Sequence, residues 1–220
     1  VPQRTPAPKV SPAADRPQSP GSNLRLDRAA CLEFARGSVA NVLGAEFAAA
    51  DRFPTRVRLP DEPLMLVDRI LSIEGQARSL SHGRVVTEHD IHHRSWYLDC
   101  GRIPTCIAVE AGQADLFLSG YLGIDFKTQG RAVYRLLDAK VCFHQGLPGP
   151  GSIIHYDIRI DHFFQQGDTW LFRFRFDATV NGQPFLTMSD GCAGFFTAAA
   201  RACWIYGGIF LELRCCWACW

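Results

Sequence analysis

Long uncharged hydrophobic runs are missing from this chain. No stretch of its 220 residues could cross a bilayer as a helix, and no secretory leader opens it. Net charge is nearly missing as well: 23 Lys and Arg against 22 Asp and Glu leave +1. No basic stripe marks a surface for nucleic acid or an anionic membrane. A disulfide framework is lacking too. Of nine Cys, four (Cys203, Cys215, Cys216 and Cys219) crowd the last eighteen residues, and the rest are scattered, three of them within apolar segments. That is the usage of a reduced, cytoplasmic protein.

What is present is organised around Ile103–Gly123, reading IPTCIAVEAGQADLFLSGYLG. From Cys106 to Leu122 nearly every residue is apolar or small, and the polar exceptions are Glu110, Gln113, Asp115 and Ser119. A helix apolar almost all round is a buried helix. The run predicts one unbroken helix, about 25 Å long at the usual rise per residue. Pro104 fits its first turn, and Gly120 and Gly123 stand where a C-terminal cap belongs. Glu110 and Gln113, three residues apart, share a face of it. A carboxylate in such surroundings costs free energy unless it is paired or protonated.

Around this core the chain divides by composition. Residues 1–23 are rich in Pro, Ala and Ser and read as a semi-extended linker, which suggests a piece of a longer polypeptide. Residues 24–54 read as a helical linker segment, with an amphipathic helix over Leu26–Leu43, Asp27 as its N-cap and Gly44 at its end. Residues 55–200 form the main domain. Residues 201–220 hold three of the five Trp and a lone CxxC at Cys216–Cys219. One such pair is weak evidence for a thiol or metal site, and the break in composition suggests a truncated or out-of-frame end.

Strand-like periodicity begins at Leu64. Met65–Ile73 and Leu80–Thr87 are expected to pair antiparallel about a turn at Gly75. Four further runs follow the helix: Ala132–Phe143, Ile153–Phe164, Trp170–Phe176 and Gln183–Thr197. The second places Tyr156, Ile158, Ile160 and Phe164 on one face; the third alternates Trp170, Phe172, Phe174 and Phe176 inward with Arg173 and Arg175 outward. Gly167-Asp168 and Asn181-Gly182 mark hairpin turns. Asp157, Arg159 and Asp161 with Arg173 and Arg175 read as opposed charges on the outer face. A sheet covering such a helix must curl round it, which is an α+β architecture.

These residues carry a resemblance. The stretches are RVRLPDEPLMLVDRI (Arg56–Ile70), DI…SWY (Asp90–Tyr97), IPTCIAVEAGQADL (Ile103–Leu116), SGYLGIDF (Ser119–Phe126), Gly130 with RAVYRLLDAKVCF (Arg131–Phe143), and GCAGFF (Gly191–Phe196). They resemble 3-hydroxyacyl-carrier-protein dehydratases of the 3-hydroxydecanoyl type. They resemble more closely the dehydratase region of polyunsaturated fatty acid synthases. The resemblance implies a hot-dog fold, a curved antiparallel sheet wrapped round one long helix. It implies acyl carrier protein as partner, with the substrate on its phosphopantetheine and no other cofactor; contact of one outer-face Arg with that phosphopantetheine is the alternative to the charge-pair reading. It also implies a second hot-dog, in the same synthase or in a homodimer.

In that family a His takes the α-proton of a 3-hydroxyacyl thioester and an acid protonates the departing hydroxyl. Carried over, PTCIAVE puts the acid at Glu110, with Gln113, Trp96, Pro104 and Cys106 on the substrate side, Gln113 standing one residue closer to the acid than in the family pattern. The departure is the base. Trp96–Pro104 is shorter than the family's loop and contains no His, so the resemblance implies a His supplied by a second hot-dog. A non-catalytic acyl-binding half is the alternative, and a hot-dog thioesterase a more distant one. His89, His92 and His93 read as a solvated loop rather than a metal site, since no further ligands stand at motif spacing.

Overall fold

A computed structural model describes residues 24–197. Residues 1–23 and 198–220, with the linker and tail expected there, lie outside the described residues. The N-terminal helical segment is two helices, α1 (Arg28–Arg36) and α2 (Val39–Leu43), followed by two 3₁₀ turns. The Asp27 carboxylate caps α1 by accepting from Ala30 N, as expected. The single helix expected over Leu26–Leu43 breaks at Gly37-Ser38, where the Ser38 hydroxyl caps α2. This segment is more than a linker. Cys31, Phe34, Val39, Leu43 and Phe47 are buried in the same core as the main domain, and Leu26 exchanges two backbone hydrogen bonds with Ile70.

The sheet has six antiparallel strands: β1 (Arg69–Glu74), β2 (Gly83–Asp90), β3 (Ala132–Phe143), β4 (Ile153–Gln166), β5 (Thr169–Val180) and β6 (Gln183–Thr197), in the order β1-β2-β4-β5-β6-β3. The expected pairing of the first two runs holds, with the strands starting a few residues later than their hydrophobic patterns. Phe172, Phe174 and Phe176 all point into the core from β5, while Arg173 and Arg175 face out. On β4, Tyr156, Ile158 and Ile160 point inward as expected. Phe164 does not pack there. A bulge between Ile160 and His162 shifts the register, and a one-residue slip turns every following side chain to the other face. Phe163 packs on the core instead, against Phe172.

Inside the sheet lies the apolar run, and here the expectation of one helix is wrong. It forms α3 (Thr105–Glu110) and α4 (Asp115–Tyr121), separated by a turn, with α5 (Ile124–Thr128) beyond. Pro104 is the residue before α3 rather than within its first turn. Two contacts from the sheet account for the break. The ring of Phe176 sits where a Cβ on Gly112 would meet it at 2.5 Å, so the backbone must approach closely there. The Ala108 carbonyl accepts from the Tyr156 hydroxyl at 2.7 Å, while Gly112 N turns back to Val109. Gly123, at φ 93°, joins α4 to α5 in the left-handed region that favours glycine. Ile107, Leu118 and Leu122 are buried as expected. The two short helices together fill the place of the single long one, and the architecture remains the α+β hot-dog arrangement.

Candidate active site

α3 begins where Ile103 N donates to the Pro148 carbonyl, which ties its start to the loop after β3. Thr105 and Cys106 are exposed at its N-terminal end, and Val109, Glu110 and Gln113 are half-buried. The spacing from Cys106 to Glu110 puts them on one helical face, so the side of α3 least covered by the chain's own sheet carries both. Gln113, in the turn that follows, is the hydrogen-bond partner of the Glu110 carboxyl, its Nε2 donating to Oε2 at 3.3 Å. Burial pushes the Glu110 carboxyl above its ordinary pKa, and no cation offsets that shift. Trp96 stands apart from this pair. The residue is 58% exposed, its indole N–H donates to the Pro63 carbonyl, and its ring meets Tyr97 edge-on.

His89 does not belong to a solvated loop. It lies on β2 and is buried, with Nδ1 3.0 Å from Asp68 Oδ2 and Nε2 2.7 Å from the Tyr97 hydroxyl. Arg28 and the backbone N–H of Asp90 complete the coordination of Asp68. His92 and His93 are exposed. Asp68, Asp90 and His92 come close enough together to suggest metal ligands. Both carboxylates are already matched, however, Asp68 by Arg28 and Asp90 by a two-pronged bond from Arg69.

Sequence reasoning passed over a second carboxyl. Asp115, on the first turn of α4, has no exposed surface. Its Oδ2 accepts from the Tyr134 hydroxyl of β3 at 3.0 Å, and its Oδ1 has no hydrogen-bond partner. Burial pushes the carboxyl up to about 8, only partly opposed by the Tyr134 hydrogen bond and by nearby backbone N–H groups, and Glu110 adds to the rise through its charge. The available signal was an acid standing inside an apolar run; its partner, nineteen residues on, gave none.

No helix among the described residues is long and apolar enough to cross a membrane. Residues 59–189 match the model of the FabA-like domain. A polyunsaturated fatty acid synthase subunit of Thraustochytrium sp. (strain ATCC 26185 / S-3) is 41% identical over 169 residues, 76% of this chain. The match covers only 11% of that relative's length. Among solved structures, the dehydratase heterocomplex ApeI:P from Xenorhabdus doucetiae is similar at 18% identity and a TM-score of 0.49, over 69% of this chain and 95% of that one. A hypothetical thioesterase protein with coenzyme A from Streptococcus pneumoniae TIGR4 is similar at 13% identity and 0.34, over 58% and 84%. Likenesses of that strength add nothing to the assignment, which rests on the sequence match across more than half the chain. The chain belongs to the family of FabA-like domains.

Proposed function

We propose that this chain is the acid-bearing half of a composite dehydratase site in a multidomain fatty acid or polyketide-type synthase. Its substrate is a 3-hydroxyacyl thioester on the phosphopantetheine of an acyl carrier protein. Glu110 is the catalytic acid. A His on a second hot-dog, in the same synthase or in a partner copy, removes the α-proton, and the electron pair of that C–H bond forms the new double bond. The C3–O bond breaks as the leaving hydroxyl takes the Glu110 proton, so that water and a 2-enoyl thioester depart. Acid and base suffice for this elimination.

The observation that carries the reading is the setting of Glu110. It is half-buried on the less covered side of α3, bonded to a neutral amide, and raised in pKa with no opposing cation. Burial with no opposing cation favours the protonated form of that carboxyl, the form that can donate. Cys106 shares its face of α3, and Pro104 sets the start of that helix, which supports a role for both beside the acyl thioester. Trp96, exposed nearby in sequence, is assigned to the approach of the carrier arm. The matched relative is a synthase subunit far longer than this chain, which supports a second hot-dog as the source of the base.

The test uses the parent synthase and a 3-hydroxyacyl-carrier-protein substrate. Glu110→Gln keeps the shape and removes the transferable proton, so dehydration should fall by about 10²-fold or more with folding intact. An unchanged rate would make this hot-dog a structural, acyl-binding half. The 220-residue chain alone should turn over poorly, and full activity there would move the base to His92 or His93.

A further inference from the structure

We propose that Asp115, a fully buried carboxyl bonded by the half-buried Tyr134, stays uncharged and governs how readily Glu110 gives up its proton, acting as a positioning residue. The inference rests on Glu110 being the acid of the dehydratase reading, and it concerns a residue that the reaction chemistry itself does not need.

The geometry is unusual for a structural aspartate. A buried carboxylate that stabilises a fold is surrounded by donors or paired with a cation. Asp115 has neither. The one side chain bonded to it is the Tyr134 hydroxyl, and its Oδ1 is buried without a hydrogen-bond partner among the described residues. The Tyr134 ring itself packs against both Phe172 and Phe195, so the surroundings are apolar on the β3 side. An ionised carboxylate with a bare oxygen in such a place is strongly disfavoured, whereas a carboxylic acid with its proton on Oδ1 requires no compensating charge.

The ionisable groups acting on Asp115 are Tyr134 from β3 and Glu110 from α3, and Glu110 also raises the Tyr134 hydroxyl through its charge. Asp115 and Tyr134 are thus in direct contact, and Glu110, five residues before Asp115 across the α3–α4 break, acts on both through its charge. Burial disfavours charge most on the deeper of the two carboxyls. Asp115, the more deeply buried, keeps its proton, and the negative charge that develops when Glu110 protonates a leaving hydroxyl therefore arises beside a neutral neighbour. Were Asp115 ionised, Glu110 would have to release its proton against a second negative charge.

The test is a carboxyl ¹³C NMR titration of the full 220-residue chain, with the Asp115 resonance identified by its loss in Asp115→Asn. The expected midpoint is about 8. Tyr134→Phe removes the donor that favours the charged form and should move the midpoint up. Glu110→Gln removes the neighbouring charge and should move it down. Folding stability gives a second readout. The unfolded Asp ionises near ~4, so wild type should lose stability relative to Asp115→Asn as pH rises, by up to about tenfold in the folding constant per pH unit. The loss should level off once the folded carboxyl ionises at about 8. If Asp115→Asn does not fold, the wild-type and Tyr134→Phe titrations still decide. A midpoint in the ordinary carboxylate range, or one that Glu110→Gln leaves in place, overturns the inference. An ordinary midpoint in a synthase that Glu110→Gln inactivates would overturn it while leaving the dehydratase reading intact. A raised, Glu110-dependent midpoint in a chain whose synthase is indifferent to Glu110→Gln would support the pair and overturn that reading.

Discussion

The Tyr156 hydroxyl donates a 2.7 Å hydrogen bond to the Ala108 carbonyl, a contact between the first part of β4 and the last turn of α3. Residue 112, one turn on, would donate to that carbonyl in a continuous helix. A fully buried tyrosine takes its place, so the helix can stop beside Glu110 with the Ala108 carbonyl still bonded. The α3–α4 break, which brings Gln113 back to Glu110 and starts α4 with Asp115, is thereby fixed from outside the run.

Tyr156→Phe should therefore cost more than a typical lost hydrogen bond, because it leaves a buried carbonyl without a donor. The expected loss is about 1–3 kcal/mol of folding stability, measured by denaturant unfolding. A loss within error of zero would mean that the carbonyl finds another partner and that the hydroxyl does not hold the break.

Gly112 should be intolerant of even one carbon. A Cβ there meets the Phe176 ring at 2.5 Å, so Gly112→Ala is expected to destabilise by roughly 1–3 kcal/mol. Phe176→Leu removes the ring and should cost stability by itself through the lost volume. Combined, the two substitutions should cost clearly less than their sum. Strict additivity in the double-mutant cycle would show that the ring does not set the break.

On the outer face, Arg84, Arg159 and Arg175 stand directly opposite one another across β2, β4 and β5. Like charges in such a row repel. Asp157 bonds both Arg84 and Arg159, and Asp161 bonds Arg175. Burial alone would raise the Asp157 carboxyl, but the two guanidinium groups outweigh it and hold it below its ordinary value. Its contribution is therefore present above the unfolded carboxyl pKa and is lost as pH falls through the lower folded one. Asp157→Asn should cost about 1 kcal/mol at neutral pH, less in high salt, where the arginine row is screened. The gap to wild type should close in acid. A gap independent of both salt and pH would assign the effect to packing instead.

The strands were legible because their signals are local. Alternation in Trp170–Phe176, the Asn181-Gly182 turn and the apolar Ala132–Phe143 run each depend on neighbours two to four residues away. The same holds for the Asp27 cap and for Glu110, whose place in an apolar helix is visible without coordinates. Three features were not legible, since each is set by a partner distant in the chain. The helix breaks at Gly112 because Phe176 and Tyr156 press on it from β5 and β4. Phe163 replaces Phe164 in the core because a bulge against β5 shifts the register. His89 is buried because Asp68 and Tyr97 bond both its nitrogens.

What the sequence by itself determined is the set of strands, the apolar run they enclose and the two acids, Glu110 and Asp115, within it. Hydrophobic period and turn chemistry are properties of short segments, and they need no fold to be expressed. What only the tertiary structure decided is where that run breaks and which carboxyl keeps its proton. A carboxyl's charge state follows from how much water its surroundings admit and which donors reach it. For Asp115 both are set by β3, through Tyr134 and the aromatic rings packed round it.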